Sequence, residues 1–186
     1  MKRILSALFS LIFCCAIYAQ TEHMKFMGIP LTGTITAFQS KLQAKGVRYD
    51  AMASKTIPAG CRAFKGTFSG EDAEIYVYYN ERTKVVYRAK AVIECTNKDR
   101  GRDKLNNFKS MLTSKYAYGD KIDDEQNGHP SFSIRVYDSS LENVLGIVGL
   151  YISNHAASYR DEVYLHIDYE DASNGIKNIE KNMDDL

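Results

Sequence analysis

The chain has 186 residues, of which 45% are hydrophobic and 25% charged, with 12 Gly, 3 Pro and no Trp. This is the composition of a folded protein, and it excludes disordered, collagen-like and multi-span membrane classes. Because 24 basic residues oppose 23 acidic ones, the formal charge is only +1, and no strong field selects nucleic acid or an anionic membrane as the partner.

The first 19 residues have the layout of a cleavable signal peptide. Lys2 and Arg3 form a positive start, the segment 4–17 is almost wholly apolar, and a small alanine precedes Gln20. An apolar run of this length is a poor bilayer span. We therefore expect a protein that is exported to the periplasm or secreted, with a mature chain that starts near Gln20 and has no transmembrane span.

A helix followed by four strands is predicted twice along the chain. Apolar residues at helical spacing predict a first helix over residues 34–45, with Thr34 as its N-cap and Gly46 as its C-cap. The same spacing returns about seventy positions later. The two apolar sets are Ile35, Phe38 and Leu42, and then Leu105, Phe108 and Leu112. Segments that alternate or run apolar follow each helix and are predicted as strands: 47–55, 61–69, 73–80 and 84–96 in the first copy, and 117–123, 131–138, 144–154 and 159–171 in the second.

This pattern predicts an α+β fold made of two tandem repeats, each with one helix followed by a four-stranded antiparallel sheet, with the helices on one face. The segment Asn97–Lys104 is interpreted as a solvated linker at the joint. The expected division is a signal peptide (1–19), an N-terminal arm (20–31), repeat 1 (32–96), repeat 2 (97–171) and a C-terminal tail that is helical or disordered (172–186).

Strand parity separates the two faces of the predicted sheet. In the strand over 84–96, Val85, Tyr87 and Ala89 share the parity of the core, whereas Arg88 and Lys90 lie on the outer parity. The last strand of the second copy behaves in the same way, with alternate apolar residues directed toward the core.

The same parity argues against a disulfide in the mature chain. Phe64 and Phe68 must face the core, which turns Cys61 outward, and a meander places Cys95 near Phe68. The two cysteines are then roughly 25 Å apart at about 3.3 Å per residue, whereas bridged Cα atoms lie within about 7 Å. We expect that no disulfide joins Cys61 and Cys95 within one chain, although an oxidising compartment favours pairing; a bond of either cysteine to another chain stays open.

A lipoprotein is the less favoured alternative for export. Cys14 follows an apolar run, as in a lipoprotein signal, but bulky Phe13 stands where a small residue is required and Cys15 follows directly.

We find no pattern that predicts catalysis, a metal site or a cofactor. The histidines have no paired metal spacing, the mature chain has no C-x-x-C, and G-x-S-x-G is absent. These histidines are His23, His129, His155 and His166. We expect a protein that is not an enzyme and that needs no cofactor. The alternative is an envelope hydrolase or other enzyme that uses His166 with Asp168, or Cys61, in a cleft between the repeats.

Tyrosine and arginine on the outer strand parity predict a binding surface instead. The chain has 13 Tyr, and Tyr and Arg are enriched at protein interfaces. The candidate partner-binding residues are Tyr76, Tyr78, Arg88, Lys90, Arg135, Tyr137, Tyr164 and His166. We expect a macromolecular partner in the envelope or outside the cell, most simply a protein. Two alternatives remain open: these residues only stabilise cross-strand pairs, or the C-terminal tail docks on them.

The segment MGIPLTGT, followed by FQSKLQAKG, resembles a group of small secreted proteins of unassigned function from Bacteroides-type bacteria. The tandem arrangement of a helix and four strands resembles the β-lactamase-inhibitor-protein-like fold. That second resemblance implies two sheets placed side by side, with a concave surface that binds a protein.

Overall fold

The structure is a computed structural model that describes residues 22–126, 129–157 and 160–183. The predicted signal peptide (1–19), the expected mature terminus at Gln20 and the lipoprotein alternative at Cys14 lie outside the described residues. The side chain of His155 does so as well.

Strands make up most of the regular structure of the described chain. The strands are β1 (Lys25–Phe26), β2 (Ile29–Pro30), β3 (Arg48–Tyr49), β4 (Cys61–Phe68), β5 (Glu71–Tyr79), β6 (Val86–Cys95), β7 (Asp120–Gln126), β8 (His129–Tyr137), β9 (Val144–Ala157) and β10 (Arg160–Asp171). The helices are α1 (Ile35–Gln43), α2 (Ala53–Thr56), α3 (Lys98–Lys115) and α4 (Ala172–Met183).

One antiparallel sheet contains eight of these strands, in the order β3-β4-β5-β6-β10-β9-β8-β7, and β1 and β2 form a separate two-stranded sheet. The predicted fold class, two tandem repeats of one helix followed by a four-stranded sheet, is therefore wrong. The strands join because β6 pairs with β10 from Val163↔Cys95 to Glu170↔Arg88. This pairing satisfies backbone groups that two separate sheets would leave exposed at their edges.

Two helices also depart from the predicted elements. α2 takes up part of the segment predicted as a strand over 47–55, and its Ser54 hydroxyl accepts a hydrogen bond of 2.9 Å from the Ala63 amide. α3 begins at Lys98, so the predicted linker Asn97–Lys104 is wrong and forms the first turns of the helix. Asn97 is the N-cap, and its side chain accepts from the Arg100 amide at 2.9 Å.

The predicted N-cap of α1, Thr34, is confirmed, but the helix ends at Gln43 with Ala44 as its C-cap, two residues before the predicted C-cap Gly46. The Thr34 hydroxyl accepts a hydrogen bond from the Ala37 amide at 3.3 Å. Gly46 has a φ of +84°, the left-handed conformation that glycine adopts after a helix.

The core lies between one face of the eight-stranded sheet and the helices α1 and α3. Phe38 and Phe108 are 1% and 6% exposed and belong to one buried cluster with the sheet residues. Phe68 stands between Phe26 and Phe108, with ring centroids 5.3 and 6.1 Å away. Aromatic rings from the N-terminal hairpin, a strand and a helix therefore pack as one group.

A β-bulge changes the predicted parity at the start of β6. Tyr78 pairs with Arg88, but Tyr79 pairs with Val86, so Tyr87 is an extra residue in the ladder. Val86 is fully buried and Tyr87 is only half-buried. The predicted inward position of Tyr87 is wrong for this reason.

A buried carboxylate connects the two ends of the described chain. Asp171 is fully buried and accepts hydrogen bonds from the amides of Met24 and Asn174, each at 2.9 Å. The Nδ1 atom of His23 lies 3.0 Å from the same carboxylate. The side-chain amide of Asn174 also donates to the Leu31 carbonyl at 2.9 Å. The N-terminal hairpin is thus attached to the first turn of α4.

We expect Phe38→Ala and Phe108→Ala each to lower the free energy of unfolding by about 3 to 5 kcal/mol, because both rings are core residues. Met111→Ala on α3 is the control, since Met111 is 54% exposed, and it should change stability by less than about 0.5 kcal/mol. Urea unfolding of the three variants measures these differences. A loss below about 1 kcal/mol for both Phe variants would contradict this core.

Candidate functional site

The side of the sheet opposite α1 and α3 carries most of the predicted site residues. We call it the open face, and its central residues are Tyr76 and Tyr78 on β5, Arg88 and Lys90 on β6, and Tyr164, His166 and Asp168 on β10. The strand register places Tyr76 opposite Lys90, Tyr78 opposite Arg88, and Lys90 opposite Asp168. Side chains that alternate in sequence thus become neighbours across three strands.

Arg135 and Tyr137, the other two predicted residues, lie apart from this group on β8. The Nη1 atom of Arg135 donates to the Oδ2 atom of Asp120 at 3.3 Å, and the Tyr137 hydroxyl donates to the same carboxylate. The structure therefore brings six of the eight predicted residues together and leaves these two near the edge strand β7.

Arg88 and Asp168 form the central ion pair of the open face. The Arg88 Nε atom donates to Asp168 Oδ1 at 2.8 Å, and Nη2 donates to Oδ2. The two side chains are 34% and 13% exposed. The hydrogen bonds to Asp168 raise the pKa of Arg88, and its guanidinium carbon lies 4.9 Å from the centroid of Tyr78. This geometry fixes the orientation of all three side chains.

His166 is held by two residues of β9 that the sequence analysis did not identify. Its ring stacks on Tyr151 with a centroid distance of 4.4 Å and an interplanar angle of 5°. Its Nε2 atom lies 2.7 Å from the Ser153 hydroxyl. The alternation of β9 places Tyr151 and Ser153 on the open face, and the same parity argument applied to that strand would have found them.

The catalytic alternative required Asp168 to act with His166. Both carboxylate oxygens of Asp168 instead accept hydrogen bonds from Arg88. When a histidine acts as the base for a nucleophile, an acidic group commonly orients its ring. Asp168 is the nearest acid to His166 along β10, and its carboxylate is already paired with Arg88.

Lys90 lies beside Tyr76 at the middle of the open face. Its Nζ atom is 5.7 Å from the Tyr76 centroid. Burial lowers the pKa of Lys90, while the charge of Asp168 acts in the opposite direction. The Tyr76 hydroxyl donates to the Glu74 carboxylate at 2.7 Å. Burial and this hydrogen bond both raise the pKa of Tyr76, so the phenol stays neutral at physiological pH.

Two depressions adjoin on this face, and Tyr76 and Lys90 line both. The larger has a volume of about 950 Å³ and extends toward Lys65, Tyr164 and His166. The smaller has a volume of about 420 Å³, and we call it the tyrosine pocket. The tyrosines and charged or thiol groups among its lining residues include Tyr76, Tyr78, Tyr79, Tyr87, Cys61 and Lys90, and the loop 57–60 lines it as well. The open face therefore offers recesses as well as flat area.

The C-terminal helix leaves these tyrosines uncovered. Ile176 and Ile179 of α4 are 56% and 57% exposed, so they do not dock on the open face. Asn178 reaches the rim of the tyrosine pocket, where its side-chain carbonyl accepts from the Asn80 amide at 3.0 Å. Among the described residues, Ile176 and Ile179 therefore do not bury the tyrosine face as that alternative required; the Met183 side chain lies outside the described residues.

Both described cysteines are free thiols, and the prediction that no disulfide joins them is confirmed. Cys95 is buried in the core. Cys61 lies opposite Tyr78 in the ladder and is 8% exposed, beneath the tyrosine pocket. Burial raises the pKa of Cys61 to about 11, although Lys90 and Arg88 oppose this. A thiol that stays protonated at neutral pH is a poor nucleophile.

Among residues 22–126, 129–157 and 160–183, no group of three His, Cys, Asp or Glu side chains could hold a metal ion. No helix in that part of the chain is long and apolar enough to cross a membrane. No family model, curated protein or solved structure matches the chain. The resemblance of residues 27–46 to small secreted proteins therefore stays a prediction.

We expect Arg88→Ala to lower the free energy of unfolding by about 1 to 3 kcal/mol, because it leaves the Asp168 carboxylate without its donors. The guanidinium is about one third exposed, which keeps this loss below the value for a fully buried pair. The double variant Arg88→Met with Asp168→Leu should recover part of the loss, since it removes both charges. Urea unfolding of Arg88→Met, Asp168→Leu and the double variant gives the coupling energy by a double-mutant cycle. A loss in the double variant equal to the sum of the two single losses would contradict the coupling.

We expect the alkylation rate of Cys61 to rise with pH throughout the range from about 7 to 10. The ordinary thiol pKa of 9.0 is raised to about 11, and the reactive thiolate appears only as the pH approaches that value. At pH 7 the thiolate fraction should be about 100-fold below that of an unperturbed thiol. Mass spectrometry of the Cys61 peptide after iodoacetamide treatment measures the rate. The rate should rise nearly tenfold from pH 9 to pH 10, whereas a rise of only about twofold over that interval would show an unperturbed thiol instead.

Proposed function

We propose that the protein is an exported, non-enzymatic binding module that uses the open face of its sheet to bind a protein partner. The observation that carries this proposal is that the side chains of the open face hold one another in fixed orientations. Arg88 donates hydrogen bonds to Asp168 and lies over the Tyr78 ring. The His166 ring stacks on Tyr151. Side chains that are ordered before binding lose less conformational entropy when a partner arrives.

The chemistry of the face favours a protein over a polyanion. The exposed acids Glu74 and Glu94 line the larger depression together with the half-buried cation Lys90. Mixed charges around aromatic rings are typical of protein interfaces, whereas a nucleic-acid site presents a basic stripe. The near-zero formal charge of the chain agrees with this choice.

Export rests on the residues that precede the described structure. The arrangement of Lys2, Arg3 and the apolar segment 4–17 supports a signal peptide. The resemblance to small secreted proteins agrees with an extracytoplasmic location, where a partner would be another envelope or extracellular protein.

Site-specific photo-crosslinking tests the proposed face. A photoreactive amino acid placed at Glu94, which is exposed on the open side of β6, should yield a defined crosslinked protein in cells that make the full chain. The same amino acid at Met111, exposed on α3, is the matched control and should not give that product. Equal products from both positions, or no product from Glu94, would contradict a binding function of this face.

Alanine substitutions then measure the energy of the interface. With the crosslinked partner purified, one or two of Tyr76→Ala, Tyr78→Ala and Tyr164→Ala should each cost more than about 2 kcal/mol, or about 30-fold in affinity. Met111→Ala, exposed on α3, is the control and should leave the affinity unchanged. Titration calorimetry measures both.

A further inference from the structure

The tyrosine pocket is shaped by two backbone features rather than by loosely placed side chains. The β-bulge moves Tyr87 out of the regular ladder, and Gly60 takes a φ of +77° at the entry to β4. A Cβ atom at Gly60 would lie 3.0 Å from the Tyr79 carbonyl oxygen, so only glycine allows this close approach. The resulting volume of about 420 Å³ lies within the usual range of ligand sites, about 300 to 1,000 Å³.

The walls of the pocket suit an apolar group. Four tyrosines line the pocket together with the apolar residues Ile57, Pro58 and Ala59. Burial raises the pKa of Tyr78 to about 12, so this phenol is neutral. Aromatic walls bind apolar and aromatic side chains through large contact areas and through edge or offset ring contacts. Glu81 also lines the pocket, but it is exposed and keeps its hydration.

Lys90 lies beside this pocket and forms no ion pair with any described residue, although Glu74 and Glu94 line the neighbouring depression with it. Asp168 lies directly opposite Lys90, but its two oxygens are bound by Arg88. Within the part of the chain that the structure describes, the ion pairs of the lysines involve Lys65, Lys104 and Lys109, and not Lys90. Lys90 is half-buried, and a cation that has lost part of its hydration is stabilised by an anion within reach.

We infer that the open face recognises an acidic segment of the protein partner, in which an apolar side chain enters the tyrosine pocket and an adjacent carboxylate pairs with Lys90. This inference rests on the proposed function and adds the chemistry of the partner. A basic segment would bring its charge against Arg88 and Lys90, and like charges at short range oppose association. Arg88, Lys90 and Asp168 together carry one net positive charge, and a carboxylate from the partner would balance it.

The alkylation rate of Cys61 shows whether the tyrosine pocket is occupied, because Cys61 lines the pocket. Cys95 lies in the core and serves as the internal control. The probes are the dipeptide N-acetyl-Phe-Asp-amide, its Phe-Asn and Phe-Lys analogues, and free 3-phenylpropionate. Ligands of this size bind in the micromolar to millimolar range. At about 10 mM, the Phe-Asp probe should slow alkylation of Cys61 by at least about threefold. Alkylation of Cys95 in the same sample should not change.

Two lysine variants show whether the carboxylate acts through Lys90. Lys90→Gln should remove the preference for Phe-Asp over Phe-Asn. Lys65→Gln is the matched control, because Lys65 is on the same face but pairs with Asp50 at 3.2 Å, and it should preserve the preference. Should Lys90→Gln fail to fold, Lys90→Arg keeps the charge and should retain the preference for the acid.

Equal protection by Phe-Asp and Phe-Asn, better protection by Phe-Lys, or no protection by any probe would overturn the inference. Stronger protection by free 3-phenylpropionate than by Phe-Asp would show that the pocket binds a small acid. That result would overturn the inference that its ligand is a segment of a protein. These results are separable from the proposed function. A specific crosslink at Glu94 without dipeptide protection refutes this use of the pocket but leaves the open face as the interface.

Discussion

The pairing of β6 with β10 is the interaction on which the architecture and the candidate site both depend. It makes the eight strands continuous, and it places Arg88 and Lys90 beside Asp168. Without it, both strands would present unpaired backbone groups along an open edge. The ion pair between Arg88 and Asp168 crosses this boundary. The backbone ladder and the side-chain cluster therefore support each other at the centre of the sheet.

The two faces of the sheet are stabilised in different ways. The covered face buries apolar side chains against α1 and α3, where stability comes from burial and close packing. The open face lacks that cover and relies on a fixed set of ionic, hydrogen-bonded and stacked contacts, such as those of His166 with Tyr151 and Ser153. This order, which the fold supplies without a partner, makes the face suitable for recognition.

Sequence periodicity predicted the elements whose signal is local. The spacing of Ile35, Phe38 and Leu42 identified α1, and alternation placed six open-face residues correctly on β5, β6 and β10. It did not show α2, which has little apolar patterning, or the charged first turns of α3. Periodicity also gives no information on which strand pairs with which, so the joint of β6 with β10 was missed. The bulge at Tyr87 shifts the alternation by one residue, which changes the parity without a clear signal in composition.

The carboxylate of Asp171 has a consequence for how the molecule opens. It binds the Met24 amide from the N-terminal hairpin and the Asn174 amide from α4, with no exposure to water that could replace either donor. If either the hairpin or α4 detaches, the buried Asp171 carboxylate loses one of its hydrogen-bond donors. This loss also destabilises the attachment of the remaining segment. Met24 and Asp171 are 147 positions apart in the sequence, and through this carboxylate the hairpin and the helix form one cooperative unit. The hydrogen-exchange rate of the Met24 amide therefore depends on how often α4, at the opposite end of the described chain, detaches from Asp171.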